Sequence, residues 1–221
     1  MPGAVTCLGN EKNPGCPLAM PFPNQELSPW EDPLAQFGVW FEEARARQVP
    51  MPEAMTLATV DPNGLPDARM VLLKDRKDHR FYFFTNYRGK KSADLTAHPN
   101  AALVFWWEPL RRQVRIRGPV DRASDAESDG YFQSRPRNSQ LGAWVSPQSE
   151  PIDARETLLV SFTDYERRFK GRAVPRPSHW GGFYLAASEI EFWQEQPFRL
   201  HDRLLYRRMS DGTWSWERLA P

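Results

Sequence analysis

The 221-residue chain is long enough to bury one well-packed domain, and its 29 Lys and Arg against 28 Asp and Glu leave no global basic field of the kind that gathers nucleic acid. Its two cysteines, Cys7 and Cys16, match neither zinc nor redox spacing, and its four histidines show no metal-ligand pattern, so a disulfide framework, a thiol catalyst and a metal site are not expected. No apolar run approaches the roughly 20 residues of a membrane span and no targeting signal is legible, so the expectation is a soluble cytoplasmic protein without membrane or nucleic-acid partners.

In chain order, residues 1–30 hold several Pro and Gly without periodicity and read as a mobile arm. Residues 31–221 read as one domain. Asp32-Pro33 opens a helix to about Arg47, with Leu34, Phe37, Phe41 and Ala44 at helical spacing. Met55–Val60 and Ala68–Lys74 read as strands joined by the Asp61-Pro62-Asn63-Gly64 turn, with Arg69 and Lys74 five apart and so on opposite faces of a regular strand. Arg80–Thr85 is a third strand. Tyr87 to Ser92 opens a short helix to about Ala97, and Lys90 and Lys91 at its N-terminus offer a phosphate cradle; the plain alternative is a solvated face.

Ala101–Glu108 and Gln113–Arg122 make a strand pair. Ser124 with Glu127 forms a capping box for a helix carrying Tyr131, and the Ser134–Ser146 segment gathers Arg135, Arg137 and Ser139 in a composition suited to gripping phosphate. Asp153 and Glu156 should cap a helix to about Lys170, stopped by Gly171. Trp180–Leu185, Glu189–Trp193, Leu204–Arg208 and Trp214–Leu219 complete the strands. Hairpin-linked antiparallel strands with outlying helices predict a mainly β, α+β fold closed as a barrel.

Near the end, an extended Arg199–Arg203 would line Arg199, His201 and Arg203 along one face, either against an anion or as a solvated, ion-paired strand end. The local cations Arg69, Lys74, Lys90, Lys91, Arg135, Arg137, Arg199 and Arg203 exceed what one phosphate needs, so two anionic groups are inferred. With aromatics at 13% and no nucleophile in view, a bound cofactor is expected to carry the reaction.

Six blocks occurring in order resemble the pyridoxine (pyridoxamine) 5′-phosphate oxidase family: Arg69-Met70-Val71-Leu72-Leu73-Lys74, Phe84-Thr85-Asn86, Ser134 to Gln140, Gly142-Ala143-Trp144-Val145-Ser146, Trp180-Gly181-Gly182-Phe183 and Arg199-Leu200-His201-Asp202-Arg203. The resemblance implies a homodimeric split β-barrel with FMN at the subunit interface. It also implies oxidation of pyridoxine or pyridoxamine 5′-phosphate to pyridoxal 5′-phosphate while O2 becomes H2O2.

By resemblance, FMN is held by Arg69, Met70, Val71, Leu72, Leu73, Lys74, Phe84, Thr85, Lys90, Lys91, Gln113, Gln148, Ser149, Trp193 and Arg203. The substrate is held by Lys74, Tyr131, Arg135, Ser139, Arg199, Leu200 and His201, with Arg199 and His201 as the catalytic candidates that orient and cover the ring. Phe84 stands where the family commonly has Tyr, and Lys90 where it frequently has Arg, which forgoes the bidentate fork. Three rivals are a flavoenzyme of the phenazine pathways, a non-catalytic FMN or pyridoxal-phosphate binder and a nucleic-acid-binding barrel. Tyr131, Arg135, Ser139 and Arg199-Leu200-His201 argue against the first, because a substrate without phosphate has no use for them; turnover distinguishes the second, and the balanced charge disfavours the third.

Overall fold

The computed structural model describes residues 26–221; Cys7, Cys16 and most of the arm expected over residues 1–30 lie outside them. Residues 26–30 are tied down rather than loose, because β-sheet side chains reach them. Tyr206 Oη accepts from Trp30 N–H at 2.8 Å, Arg218 donates to the Leu27 carbonyl at 2.9 Å, and Leu27 is buried.

Helix α1 (Pro33–Ala46) starts where Asp32 accepts from Leu34 N–H, with Pro33 in the first turn. It sets Phe37 into the barrel, with ring centroids 5.1 Å from Phe81, 5.2 Å from Phe105 and 6.1 Å from Trp107. Burying such a ring stabilises the fold by about 1.5–3 kcal/mol, so α1 acts as the plug of the barrel. Trp40 joins Phe37 and Ala44 on the buried face, while Leu34 and Phe41 are only partly covered.

Strands β1 (Ala54–Val60) and β2 (Pro66–Leu72) form the first hairpin. A short β3 (Asp75–Lys77), which periodicity did not reveal, pairs with β4 (Arg80–Asn86), so the expected strand over Ala68–Lys74 ends two residues early. After α2 (Lys90–Ala97) come β5 (Asn100–Trp107) and β6 (Arg112–Arg122). Helix α3 (Asp125–Ser134) carries the full capping box: Ser124 N–H and hydroxyl donate to the Glu127 carboxylate, which lowers its pKa to about 2.

Helix α4 (Arg137–Val145) and helix α5 (Arg155–Arg168) follow, then β7 (Trp180–Ala186), β8 (Glu189–Gln194), β9 (Asp202–Arg208) and β10 (Trp214–Arg218). The expected Asp153/Glu156 cap does not form, because the residue at the α5 N-cap is Ala154.

All pairings are antiparallel. One wing runs β10-β9-β8-β6-β5-β1-β2, and the other joins β3, β4 and β7 to the far end of β6. Strand β6 therefore serves both wings: Arg112–Arg117 pair with β8, and Val120–Arg122 pair with β7. The switch falls at Gly118-Pro119, where a Cβ on residue 118 would stand 1.9 Å from the Ala186 carbonyl oxygen. The sheet curls there into the split barrel expected from the sequence, with helices outside.

The main core fills the barrel. A second cluster of Phe132, Leu141, Phe169, Val174 and Trp180 lies under α3–α5. No described helix is long and apolar enough to cross a membrane, and no group of metal-ligating side chains occurs among the described residues.

Candidate active site

A cleft of about 510 Å³ opens between β2, β4 and the α3–α4 corner. It is lined by Met70, Val71, Leu72, Lys74, Phe84, Thr85, Lys91, Tyr131, Arg135, Ser139 and Gln148, all expected from the sequence, together with Pro136 and Trp180, which were given no role there. One wall is a ladder of near-parallel rings. Phe84 stacks on Tyr131 at 4.0 Å and 26° and on Trp180 at 5.8 Å and 15°. Gly182 makes the ladder possible, because a Cβ there would lie 2.8 Å from both the Phe84 ring and the Ala123 methyl. Such a wall suits a flat aromatic ligand.

The polar end of the cleft holds unneutralised cations. Arg135 lies 4.4 Å over the Trp180 ring with Nη1 buried and without a hydrogen-bond partner, and burial pushes its pKa down. A buried guanidinium nitrogen left unpaired is costly, so this atom is the strongest sign of an anion site. Lys91 Nζ donates to Thr85 Oγ1 at 3.1 Å and Gln148 Oε1 at 2.7 Å. Burial first, and then the Arg69 charge, push the Lys91 pKa down. Gln148 can reach it because residue 89 is glycine: a Cβ there would be 2.6 Å from Oε1. Among the described residues no carboxylate lies in ion-pair range of Lys74, Lys91 or Arg135. A phosphate supplies what these groups lack, so the residues present fit a phosphorylated aromatic ligand.

Two expected cations are already engaged. Arg69 pairs with Asp67 at 2.7 Å and Asp94 at 3.3 Å, and also donates to Thr59 Oγ1 at 2.6 Å. Lys90 pairs with the same two carboxylates at 3.1 and 3.2 Å, and its backbone N–H donates to Ser149 Oγ at 3.1 Å. Asp67, Asp94 and Thr59 escaped the sequence reading, although the Lys90–Asp94 spacing of four on a helix was a legible signal. Leu73 turns its side chain into the core. Arg137, counted among the local cations, donates to the Phe169 and Arg172 carbonyls and closes the end of α5 instead of facing the cleft.

The remaining expected residues form a second cluster. Gln113, Trp193 and Arg203 are direct cross-strand partners on β6, β8 and β9. Arg203 donates to Glu191 at 2.9 Å, and Trp193 lies 4.7 Å from the His201 ring. His201 Nδ1 accepts from Gln196 N–H at 3.2 Å, which leaves Nε2 to carry the proton of the neutral ring.

The extended Arg199–Arg203 segment expected from the sequence does not occur: Pro197–Arg199 is a 3-10 turn, Phe198 and Arg199 have φ of 60° and 63°, and the strand starts only at Asp202. The turn lifts Arg199 off the sheet, with Phe198 92% and Leu200 67% exposed beside it. Strands β1, β5 and β6 separate Trp193 from β2, on the order of 19 Å along the sheet at about 4.8 Å per strand. One chain thus carries the expected residues in two separate clusters.

The description "Pyridoxamine 5'-phosphate oxidase" belongs to a family model that matches residues 41–169, and "Pyridoxine 5'-phosphate oxidase C-terminal dimerisation region" to one that matches residues 180–221. A pyridoxine/pyridoxamine 5′-phosphate oxidase of Nostoc punctiforme is 54% identical over 190 residues, covering 86% of this chain and 89% of the relative. One of Azorhizobium caulinodans is 49% identical over 202 residues, covering 91% and 95%. Among solved structures, PhzG from Burkholderia lata in complex with tetrahydrophenazine-1-carboxylic acid has a TM-score of 0.83 at 27% identity, covering 88% of this chain and 95% of that one. An FMN-binding protein of Nostoc punctiforme, at 18% identity, has a TM-score of 0.68 over 88% of this chain and 98% of its own and shares the fold.

Proposed function

The chain belongs to the pyridoxamine 5′-phosphate oxidase family, and from that premise we propose how its two clusters divide the work. The reaction is the FMN-dependent oxidation of pyridoxine and pyridoxamine 5′-phosphates to pyridoxal 5′-phosphate, and the protein is a homodimer. FMN supplies the two-electron acceptor when bound. In the proposed assignment O2 takes up the electrons and leaves as H2O2; the alcohol substrate yields the aldehyde directly, and the amine yields aldehyde and ammonia with consumption of one water.

Arg69, Lys90, Lys91, Thr85, Gln148 and Ser149 would hold the FMN phosphate and its neighbours, with Met70 to Lys74 and Phe84 along its length. Lys74, Tyr131, Arg135 and Ser139 would grip the substrate phosphate, so that binding far from the reacting carbon fixes the ring for reaction. Gln113, Trp193, Arg199, Leu200, His201 and Arg203 would come from the other subunit, placing FMN at the interface. Arg199 and His201 then cover the substrate ring, and the His201 Nε2–H is placed to donate a hydrogen bond to the C4′ oxygen or nitrogen. Exposed Phe198 and Leu200 beside them favour a turn that is covered on dimerisation. The charged phosphates of both ligands do not cross a bilayer unaided, which supports a cytoplasmic place of action.

The observation that carries the assignment is the orphaned Arg135 Nη1 at the head of the ring ladder. Anaerobic mixing of the purified yellow protein with pyridoxine 5′-phosphate should bleach the flavin absorbance, and admission of O2 should restore it. A colourless dimer that refuses added FMN sinks the assignment.

A further inference from the structure

The four charged side chains behind Lys91 close into a ring. Arg69 Nη2 and Lys90 Nζ each touch both Asp67 and Asp94, at 2.7 to 3.3 Å. The two carboxylates differ in freedom. Asp94 is 1% exposed, sits one helical turn after Lys90 and also accepts from the Thr59 hydroxyl at 2.7 Å. Asp67 is 38% exposed at the start of β2; its Oδ1 takes the Ala68 N–H, and only Oδ2 faces the two cations. The formal charges of the ring sum to zero, whereas a phosphate needs a surplus of positive charge. Asp67 Oδ2, set between a guanidinium and an ammonium, presents to them what a phosphate oxygen would present.

We propose that Asp67 is a displaceable stand-in for the FMN phosphate: it occupies Arg69 and Lys90 in the apoprotein and turns to solvent when the phosphate arrives, while Asp94 stays as the fixed counter-ion that positions both cations. This rests on the assignment of Arg69 and Lys90 to the FMN phosphate. A hydrogen bond from Lys90, aided by the Arg69 charge, holds the Asp67 pKa below the usual carboxylate range against the opposing effect of burial, so the ring is closed at neutral pH. Binding must therefore replace the Asp67 ion pairs, which weakens FMN affinity. A flavin without phosphate has no group that competes for the two cations and leaves the ring as it is.

The test titrates apoprotein with FMN, and separately with riboflavin, following the quenching of flavin fluorescence for wild type, Asp67→Asn, Asp67→Ser and Lys90→Ala. Both Asp67 variants should bind FMN about 3- to 10-fold more tightly than wild type with riboflavin affinity unchanged, and Lys90→Ala should bind FMN more weakly. An unchanged FMN affinity in Lys90→Ala removes the phosphate assignment and the stand-in with it. Weaker FMN binding in Lys90→Ala, with no tightening in either Asp67 variant or with riboflavin tightening equally, leaves the phosphate assignment standing and overturns the role of Asp67.

Discussion

Arg135 and Arg199 are both arginines of the proposed substrate site, yet their surroundings give them different work. Arg135 is packed against Trp180 with a buried nitrogen unpaired, so in the proposed assignment a phosphate oxygen would supply the partner it lacks. A hydrogen bond to a charged group contributes about 1.5–3 kcal/mol, and Arg135→Ala should raise KM for pyridoxine 5′-phosphate roughly 10- to 100-fold while FMN affinity by fluorescence titration stays near wild type. Unchanged KM would remove Arg135 from the phosphate. Arg199 instead stands on an exposed turn with positive φ, a conformation that costs energy in a non-glycine residue and lifts the side chain off the sheet. Arg199→Ala should lower kcat by about 100-fold or more and leave the bound-flavin spectrum intact; stopped-flow reduction measures the first and absorbance the second. At position 84 the missing hydroxyl leaves a ring that stacks on Tyr131 at 4.0 Å, so the residue serves the wall of the cleft by its face.

Strand β6 is the element on which the two wings depend. Its first half pairs with β8 and its last residues with β7, and the chain turns the corner at Gly118-Pro119. Proline has no N–H to give to a ladder, and glycine allows the Ala186 carbonyl to approach to a distance no Cβ could share. Gly118→Ala should therefore lower the unfolding free energy by about 3 kcal/mol or more, the top of the usual overpacking range, read as a fall in the urea midpoint with an unchanged slope. A midpoint within error of wild type would show that the corner is not held by this contact.

At the scale of the whole molecule, the proposed division of the site between two subunits has a consequence for assembly. If each site takes Arg135 from one subunit and Arg199 from the other, a mixed dimer of Arg135→Ala and Arg199→Ala chains contains one site with both changes and one with neither. Co-expressed at equal levels and scored for oxidase activity at pyridoxine 5′-phosphate well below the wild-type KM, where each variant alone is strongly impaired, the two should recover about one quarter of wild-type activity. If all the residues of a site came from one chain, mixing would recover nothing.

The sequence alone determined what local physics governs. The Asp32-Pro33 helix start, the Ser124/Glu127 capping box and the turn at Gly64 appear where caps and turn residues put them, because each depends on residues a few positions apart. Six blocks in order carried the family. Only the tertiary structure decided which cations are available: Arg137 closes α5, Arg69 and Lys90 face Asp67 and Asp94, and among the described residues no carboxylate pairs with Arg135 or Lys91. It also decided that Arg199 leaves the strand and that the expected residues fall in two separate clusters. Neutralisation of a charge depends on groups brought near by strand pairing and helix docking, and those distances are fixed by the fold rather than by position along the chain.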